Sequence, residues 1–200
     1  MNIDVFPCGY LQTNCYLVWN ESTKKAFIVD PGDVSPDLKK FIIKEELVPE
    51  YIILTHGHGD HTGGIFDLKK VWPDILTIAS KKERKFLNDR KASYGAGGIE
   101  CDIYVDDAQE MTVADTTVRF LSTPGHTPGG MCILLGRTLF SGDTLFRASI
   151  GRSDFPGGDH EQLIRSIREK LLTLPEDIRV LPGHEEETSI GYEARYNPFV

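Results

Sequence analysis

The chain has 200 residues, 40% hydrophobic and 26% charged, with a formal net charge of -8. This is an ordinary globular profile of about one domain's length. The acidic balance argues against a nucleic-acid groove, which normally shows a basic stripe, and no apolar run approaches the roughly 18 residues of a membrane-spanning helix.

The opening "MNIDVFPCGYLQTNCYLVWN" has no basic n-region and no long apolar core, so no signal peptide is expected. Cys8, Cys15, Cys101 and Cys132 are scattered without CxxC spacing, which reads as reduced, buried thiols in a cytoplasmic protein. "CYLVW" (15–19) and "AFIVD" (26–30) are short β-rich runs separated by the turn-like "NESTKK". After "DPGD", Ser35 is a candidate N-cap and Pro36 a first helical residue. Leu38, Phe41, Ile42 and Leu47 then recur at helical spacing.

"YIILT" (51–55) predicts a buried strand that runs into "HGHGDHTGG". A short helix is expected over "IFDLKKVW" and a strand over "ILTIAS". "KKERKFLND" reads as a solvated helix whose charges need no functional role, and "YGAGGI" (94–99) as a loop able to act as a lid. "TTVRFLST", "MCILLG" and "TLFSGD" read as strands, and "DHEQLIRSIREKLLTL" as an amphipathic helix with Leu163, Ile164, Ile167, Leu171 and Leu172 on one face. "IRVLPG" is a last strand, followed by a mostly irregular tail. Strands and helices alternate without a composition shift, so one α/β domain over 1–200 is expected. "LTHGHGDHTGG" and "LSTPGHTPGG" echo each other, as a duplicated half-domain would.

The chain has six histidines, and three of them stand between positions 56 and 61. Neutral imidazole is the commonest protein ligand for zinc and similar metals. Residues two apart in an extended segment point the same way, so His56 and His58 can grip one ion. Asp60 and His61 follow at a helix start and aim at a neighbouring point. His126, Asp143 and His184 each follow a β-like segment and a glycine. One such residue alone is an ordinary polar turn residue; with the cluster, the three complete a donor set. We expect one ion on His56, His58 and His126, a second on Asp60, His61 and His184, and Asp143 bridging. Both ions are divalent metals, zinc first, with iron or manganese as alternatives. His160 falls outside this pattern and reads as structural or surface.

His56-Gly57-His58-Gly59-Asp60-His61 resembles the His-x-His-x-Asp-His signature of the metallo-β-lactamase superfamily, and Asp30, His126, Asp143 and His184 match its other motifs in order. The resemblance implies an αββα sandwich of two mixed sheets flanked by helices, with the site at one edge. It implies that Asp30 supports the ligand loop rather than binding metal. Within the superfamily the chain is most similar to the glyoxalase II-like, hydroxyacylglutathione hydrolase branch. That likeness implies hydrolysis of a small-molecule thioester such as S-lactoylglutathione, by attack of a metal-bridging hydroxide, with Asp60 and Asp143 as the catalytic carboxylates.

Two departures qualify the likeness. The sequence ends at Val200 without the family's C-terminal helical domain. Arg152-Ser153-Asp154 stands where the family uses Lys-x-Tyr to hold glutathione. Arg152 can hold a substrate carboxylate or pair with Asp154. The competing reading is a mononuclear-iron persulfide dioxygenase, whose loop "GRSDF" resembles. A β-lactamase, a nuclease, a flavodiiron protein and a non-catalytic metal binder fit less well. Monomer and homo-oligomer both stay open.

Overall fold

The computed structural model describes residues 1–33, 35–95 and 97–200. The loop expected over 94–99 therefore includes one position, Ala96, outside the described residues. The first half of the chain comprises β1 (Asn2–Cys8), β2 (Thr13–Trp19), β3 (Lys25–Val29), α1 (Pro36–Lys44), β4 (Val48–Ile53), α2 (Gly59–Thr62), α3 (Ile65–Val71), β5 (Leu76–Ser80), α4 (Arg84–Asn88), α5 (Arg90–Ser93) and β6 (Ile103–Val105). Its six strands form one sheet in chain order. β1, β2 and β3 pair antiparallel, and β3 to β6 run parallel.

The second half comprises β7 (Glu110–Val113), β8 (Thr116–Ser122), β9 (Met131–Leu135), β10 (Thr138–Gly142), the small hairpin β11 (Leu145–Phe146) and β12 (Ser149–Ile150), α6 (His160–Ser166), β13 (Arg179–Pro182), β14 (Thr188–Ser189) and α7 (Ile190–Tyr196). The second sheet has the order β14-β13-β10-β9-β8-β7. Only its β10–β13 pair is parallel.

Period-two alternation decides which way each strand faces. Tyr16, Val18, Phe27 and Val29 point inward and pack with Val118, Phe120, Ile133 and Phe140 of the opposite sheet. The intervening Leu17, Ala26 and Ile28 point outward, onto Leu38 and Ile42 of α1 and Ile65 and Leu68 of α3. On the far side, Cys132, Leu139 and Val180 meet Leu163 of α6, with Ile167 and Leu171 in the π turn that follows it. The result is the αββα sandwich of two mixed sheets. All four cysteines are buried free thiols. Among the described residues no helix is long and apolar enough to cross a membrane.

Local chemistry sets the helix starts. Ser35 Oγ accepts the Leu38 N–H at 3.2 Å and Pro36 takes the first position of α1, as its sequence predicts. That helix stops at Lys44, and a left-handed turn at Glu46 brings Leu47 back into the core.

Several expectations are corrected. β1, which no local pattern predicts, is an edge strand that pairs with β2 alone and so tolerates Pro7. The tail is not irregular: Ser189 caps α7 by accepting the Tyr192 N–H, and Ile190 is buried. The segment 81–89 is not a solvated helix: it is a 3-10 turn, Lys81–Glu83, followed by the short α4, with Glu83, Phe86 and Leu87 buried.

Candidate metal centre

The C-terminal ends of β3, β4, β8, β10 and β13 are followed by Asp30, by His56 to His61, by His126, by Asp143 and by His184. The fold brings all of these side chains into one cluster at the sheet edges. Ordinary parallel-sheet logic places a site there, outside the carboxyl ends of strands. Backbone from Thr55 to His58 is not helical, and His58 is the extended residue before α2, so His56 and His58 project together. α2 then turns Asp60 and His61 toward the same space.

His56, His58 and His126 form one group, and Asp60, His61 and His184 a second; within each, one ligand atom per residue lies within 4.8 Å of the others. Asp143 faces both groups. Its Oδ1 is 3.4 Å from His61 Nε2, and its Oδ2 is 3.6 Å from both His126 Nε2 and His184 Nε2. Across the first group, His58 Nδ1 lies 2.9 Å from His126 Nε2. Across the second, His184 Nε2 lies 3.2 Å from Asp60 Oδ2 and 3.3 Å from His61 Nε2.

Four of these imidazoles have one nitrogen held by the protein. Thr55 Oγ1 lies 3.0 Å from His56 Nδ1, and Asp30 Oδ2 lies 3.0 Å from His61 Nδ1. The Arg152 carbonyl lies 2.6 Å from His126 Nδ1, and the Leu11 carbonyl 3.2 Å from His184 Nδ1. Carbonyl and carboxylate oxygens only accept, so the tethered nitrogens of His61, His126 and His184 carry the proton. Each of these rings therefore turns its Nε2 toward the cluster, with a lone pair there when the ring is neutral. His56 Nε2, His58 Nε2 and Asp143 Oδ1 are buried and lack a hydrogen-bond partner. Buried polar atoms without partners are costly, and imidazole and carboxylate donors gathered this closely are what a bound cation satisfies. The all-N/O donors fit zinc, iron or manganese.

Asp30 braces the ligand loop. Its backbone is left-handed, at φ 50°, and its carboxylate also accepts the Thr55 N–H at 2.7 Å and the Thr55 hydroxyl at 2.5 Å. One side chain thus orients both His61 and, through Thr55, His56. Its Oδ also lies within the same distance range of His56 and His61.

The electrostatics divide the two groups. Burial, with repulsion from neighbouring imidazoles, holds His56 well below its ordinary value and His58 at about 4. Burial also lowers His126, against the pull of Asp143. These three rings are therefore neutral at pH 7, the form that binds metal. In the second group burial is outweighed by carboxylates. Asp143 and Asp30 hold His61 well above its ordinary value, and Asp60 with Asp143 raises His184. The same pairings overcome burial to hold Asp143 and Asp60 below the usual carboxylate range.

A cavity of about 770 Å³ opens onto the cluster, with His58, Asp60, His126, Asp143 and His184 at its floor. Leu11, Tyr94 and Phe155 give it an apolar wall, while Gln12, Arg152 and Glu185 line it with polar groups. The Arg152 guanidinium pairs with Asp154 through two hydrogen bonds of 2.9 and 2.7 Å and lies 4.1 Å over the Phe155 ring. His160 stands apart at the start of α6, where its Nδ1 meets Ser153 Oγ at 3.2 Å. Sequence reasoning missed Glu83, a buried carboxylate among exposed lysines, and Thr55. The signal for Glu83 was available: Phe86 and Leu87 three and four positions later share its helical face and are too apolar for a solvated segment.

Comparison with known proteins agrees with this geometry. The hydroxyacylglutathione hydrolase GloC of Haemophilus influenzae is 37% identical over 209 residues, covering 100% of this chain and 98% of that protein. The crystal structure of the BLEG-1 B3 metallo-beta-lactamase superposes with a TM-score of 0.92 at 36% identity, covering 99% of each chain. TTHA1623 in a di-iron-bound form gives a TM-score of 0.85 at 31% identity, covering 98% of this chain and 100% of that one. Residues 8–184 match the model of the metallo-beta-lactamase superfamily, and with the sandwich, the strand-end cluster and these relatives in agreement, the chain belongs to that superfamily.

Proposed function

We propose that this chain is a cytoplasmic metal-dependent hydrolase that cleaves a small acyl thioester of the S-lactoylglutathione kind. The observation that carries the reading is the facing pair of donor groups with Asp143 between them. In this reading His56, His58 and His126 hold one divalent ion, Asp60, His61 and His184 the other, and Asp143 serves both. Zinc is the first choice. The ions supply Lewis acidity, polarising the acyl carbonyl and bringing the pKa of a water to roughly neutral.

The chain's own groups do the rest. The Asp30, Arg152 and Leu11 oxygens fix three imidazoles in the ligand tautomer before substrate arrives. Asp60 is half-buried at the cavity floor, and its carboxylate would take the proton that the attacking water gives up. Leu11, Tyr94 and Phe155 shield the acyl group from bulk water. Arg152, held by Asp154 and stacked on Phe155, presents its remaining N–H donors to a substrate carboxylate. The water oxygen bonds to the acyl carbon, the C–S bond breaks, and the thiolate leaves without an acid because a free thiol has a pKa of only about 8.5. The Haemophilus relative, whose name states hydrolysis of a hydroxyacylglutathione, supports the substrate class.

The test is metal analysis of the purified protein together with a panel of acyl thioesters that includes S-lactoylglutathione. Two ions per chain and release of thiol are expected. Failure to release thiol from every member of the panel overturns the reading. Oxygen uptake with glutathione persulfide would replace it by the dioxygenase.

A further inference from the structure

Glu83 is 1% exposed, at the end of the 3-10 turn that leaves β5. Its Oε1 accepts the Gly57 N–H at 2.8 Å, between His56 and His58. Its Oε2 accepts the Gly129 N–H at 2.7 Å, three residues after His126. One carboxylate thus joins a loop that leaves the first sheet to a loop that leaves the second. The approach is close enough that Gly129 has no room for a side chain and Gly57 has little. A Cβ on Gly57 would lie 3.2 Å from Glu83 Oε1 and 3.1 Å from Phe86 and Leu87, and one on Gly129 would lie 2.2 Å from the Glu83 backbone N. Phe86, on the next turn, sets its ring 5.3 Å from the His58 ring.

Each sheet carries part of the first donor group, so the gap between His58 and His126 depends on how the two loops are held together. Burial of an ionisable carboxylate is unfavourable unless donors meet it, and here both donors come from the ligand loops. We infer that Glu83 is a positioning residue that clamps the His56–His58 loop to the His126 loop and so sets the spacing of the three imidazoles. The inference rests on the reading that these imidazoles hold a metal ion.

The test compares zinc affinity, by competition with a chromophoric chelator, and the visible spectrum of the cobalt-substituted protein, for wild type and Glu83→Gln. Glutamine keeps the size of the side chain but turns an NH2 toward one of the two N–H donors. We expect an affinity loss of roughly 10–100-fold, the range seen for outer-shell partners. Altered cobalt bands are expected as well, with the far-UV circular dichroism unchanged. A folded Glu83→Gln protein with wild-type affinity and wild-type bands overturns the inference. A wild type that takes up no metal overturns the metal reading instead, and the clamp with it. Should the variant not fold, amide exchange on the wild-type holoprotein decides. The Gly57 and Gly129 amides should gain protection together on metal binding, and protection of one without the other overturns the clamp.

Discussion

His61 Nδ1 lies 3.0 Å from Asp30 Oδ2, and the same carboxylate takes the Thr55 N–H at 2.7 Å. Asp30 therefore holds the tautomer of one imidazole and the backbone beside another. Asp30→Ala is expected to weaken metal binding by roughly 10–100-fold. It also leaves the buried Thr55 N–H unpaired, at a stability cost of about 1–3 kcal/mol. Asp30→Asn keeps an acceptor and tolerates the left-handed backbone, so it should fold better than the alanine variant while still binding metal less well than wild type. Metal titration alongside urea unfolding separates the two effects.

His58→Ala and Asp143→Ala remove side chains whose donor atoms lie in the cluster. Each should lose more activity than the roughly 10–100-fold typical of an outer-shell partner, while circular dichroism shows an intact fold. Near-normal turnover in either variant would sink the assignment of ligand roles.

Burial pushes the Glu83 carboxyl up to about 7 from an ordinary 4.5, despite two backbone N–H donors. The folded chain then binds more protons than the unfolded one between those values. Stability from the protonated form is fully present below about 4.5 and is lost as pH rises through about 7. Urea unfolding of the metal-free protein at about pH 5 and about pH 8 should show wild type losing ground to Glu83→Gln at the higher pH. Equal differences at both would remove the basis for the raised value.

Chelation should lower the melting temperature. A ligand that binds only the folded state at about 100 times its Kd contributes about 2.7 kcal/mol. For a chain of this size each kcal/mol is worth roughly 2–4 °C. Scanning calorimetry with and without a chelator tests this, and Asp143→Ala should respond much less than wild type.

Ser35→Ala is the control. Loss of the Leu38 N–H cap costs about 1 kcal/mol. α1 packs on the outer face of its sheet, away from the cluster, so kcat and KM should not change.

Much of the sandwich was legible because the short apolar, β-rich runs of β2, β3 and β9 and the helical spacing of Leu38 with Ile42 are strong, local patterns. The donors were legible because His-x-His-x-Asp-His concentrates chemistry in a short window. What stayed hidden depends on distant partners. β1 is a strand because β2 offers it an edge, and α7 is ordered because Ile190 reaches a core built by α6. Glu83 looks like one more charge in "KKERK" until Gly129, 46 residues away, is brought to its oxygen. The spacing of Phe86 and Leu87 points to its burial, but no periodicity names its partner.

The tethering of imidazoles by Thr55, Asp30, Arg152 and Leu11 has a kinetic and selective corollary. The rings are oriented by folding itself, so their rotational freedom is already gone when a cation arrives. Capture then needs little rearrangement, and an ion of unsuitable radius cannot recruit these nitrogens by letting them relax toward it. Discrimination among divalent cations at such a rigid socket falls to size and coordination angle rather than to donor chemistry, which many first-row metals share.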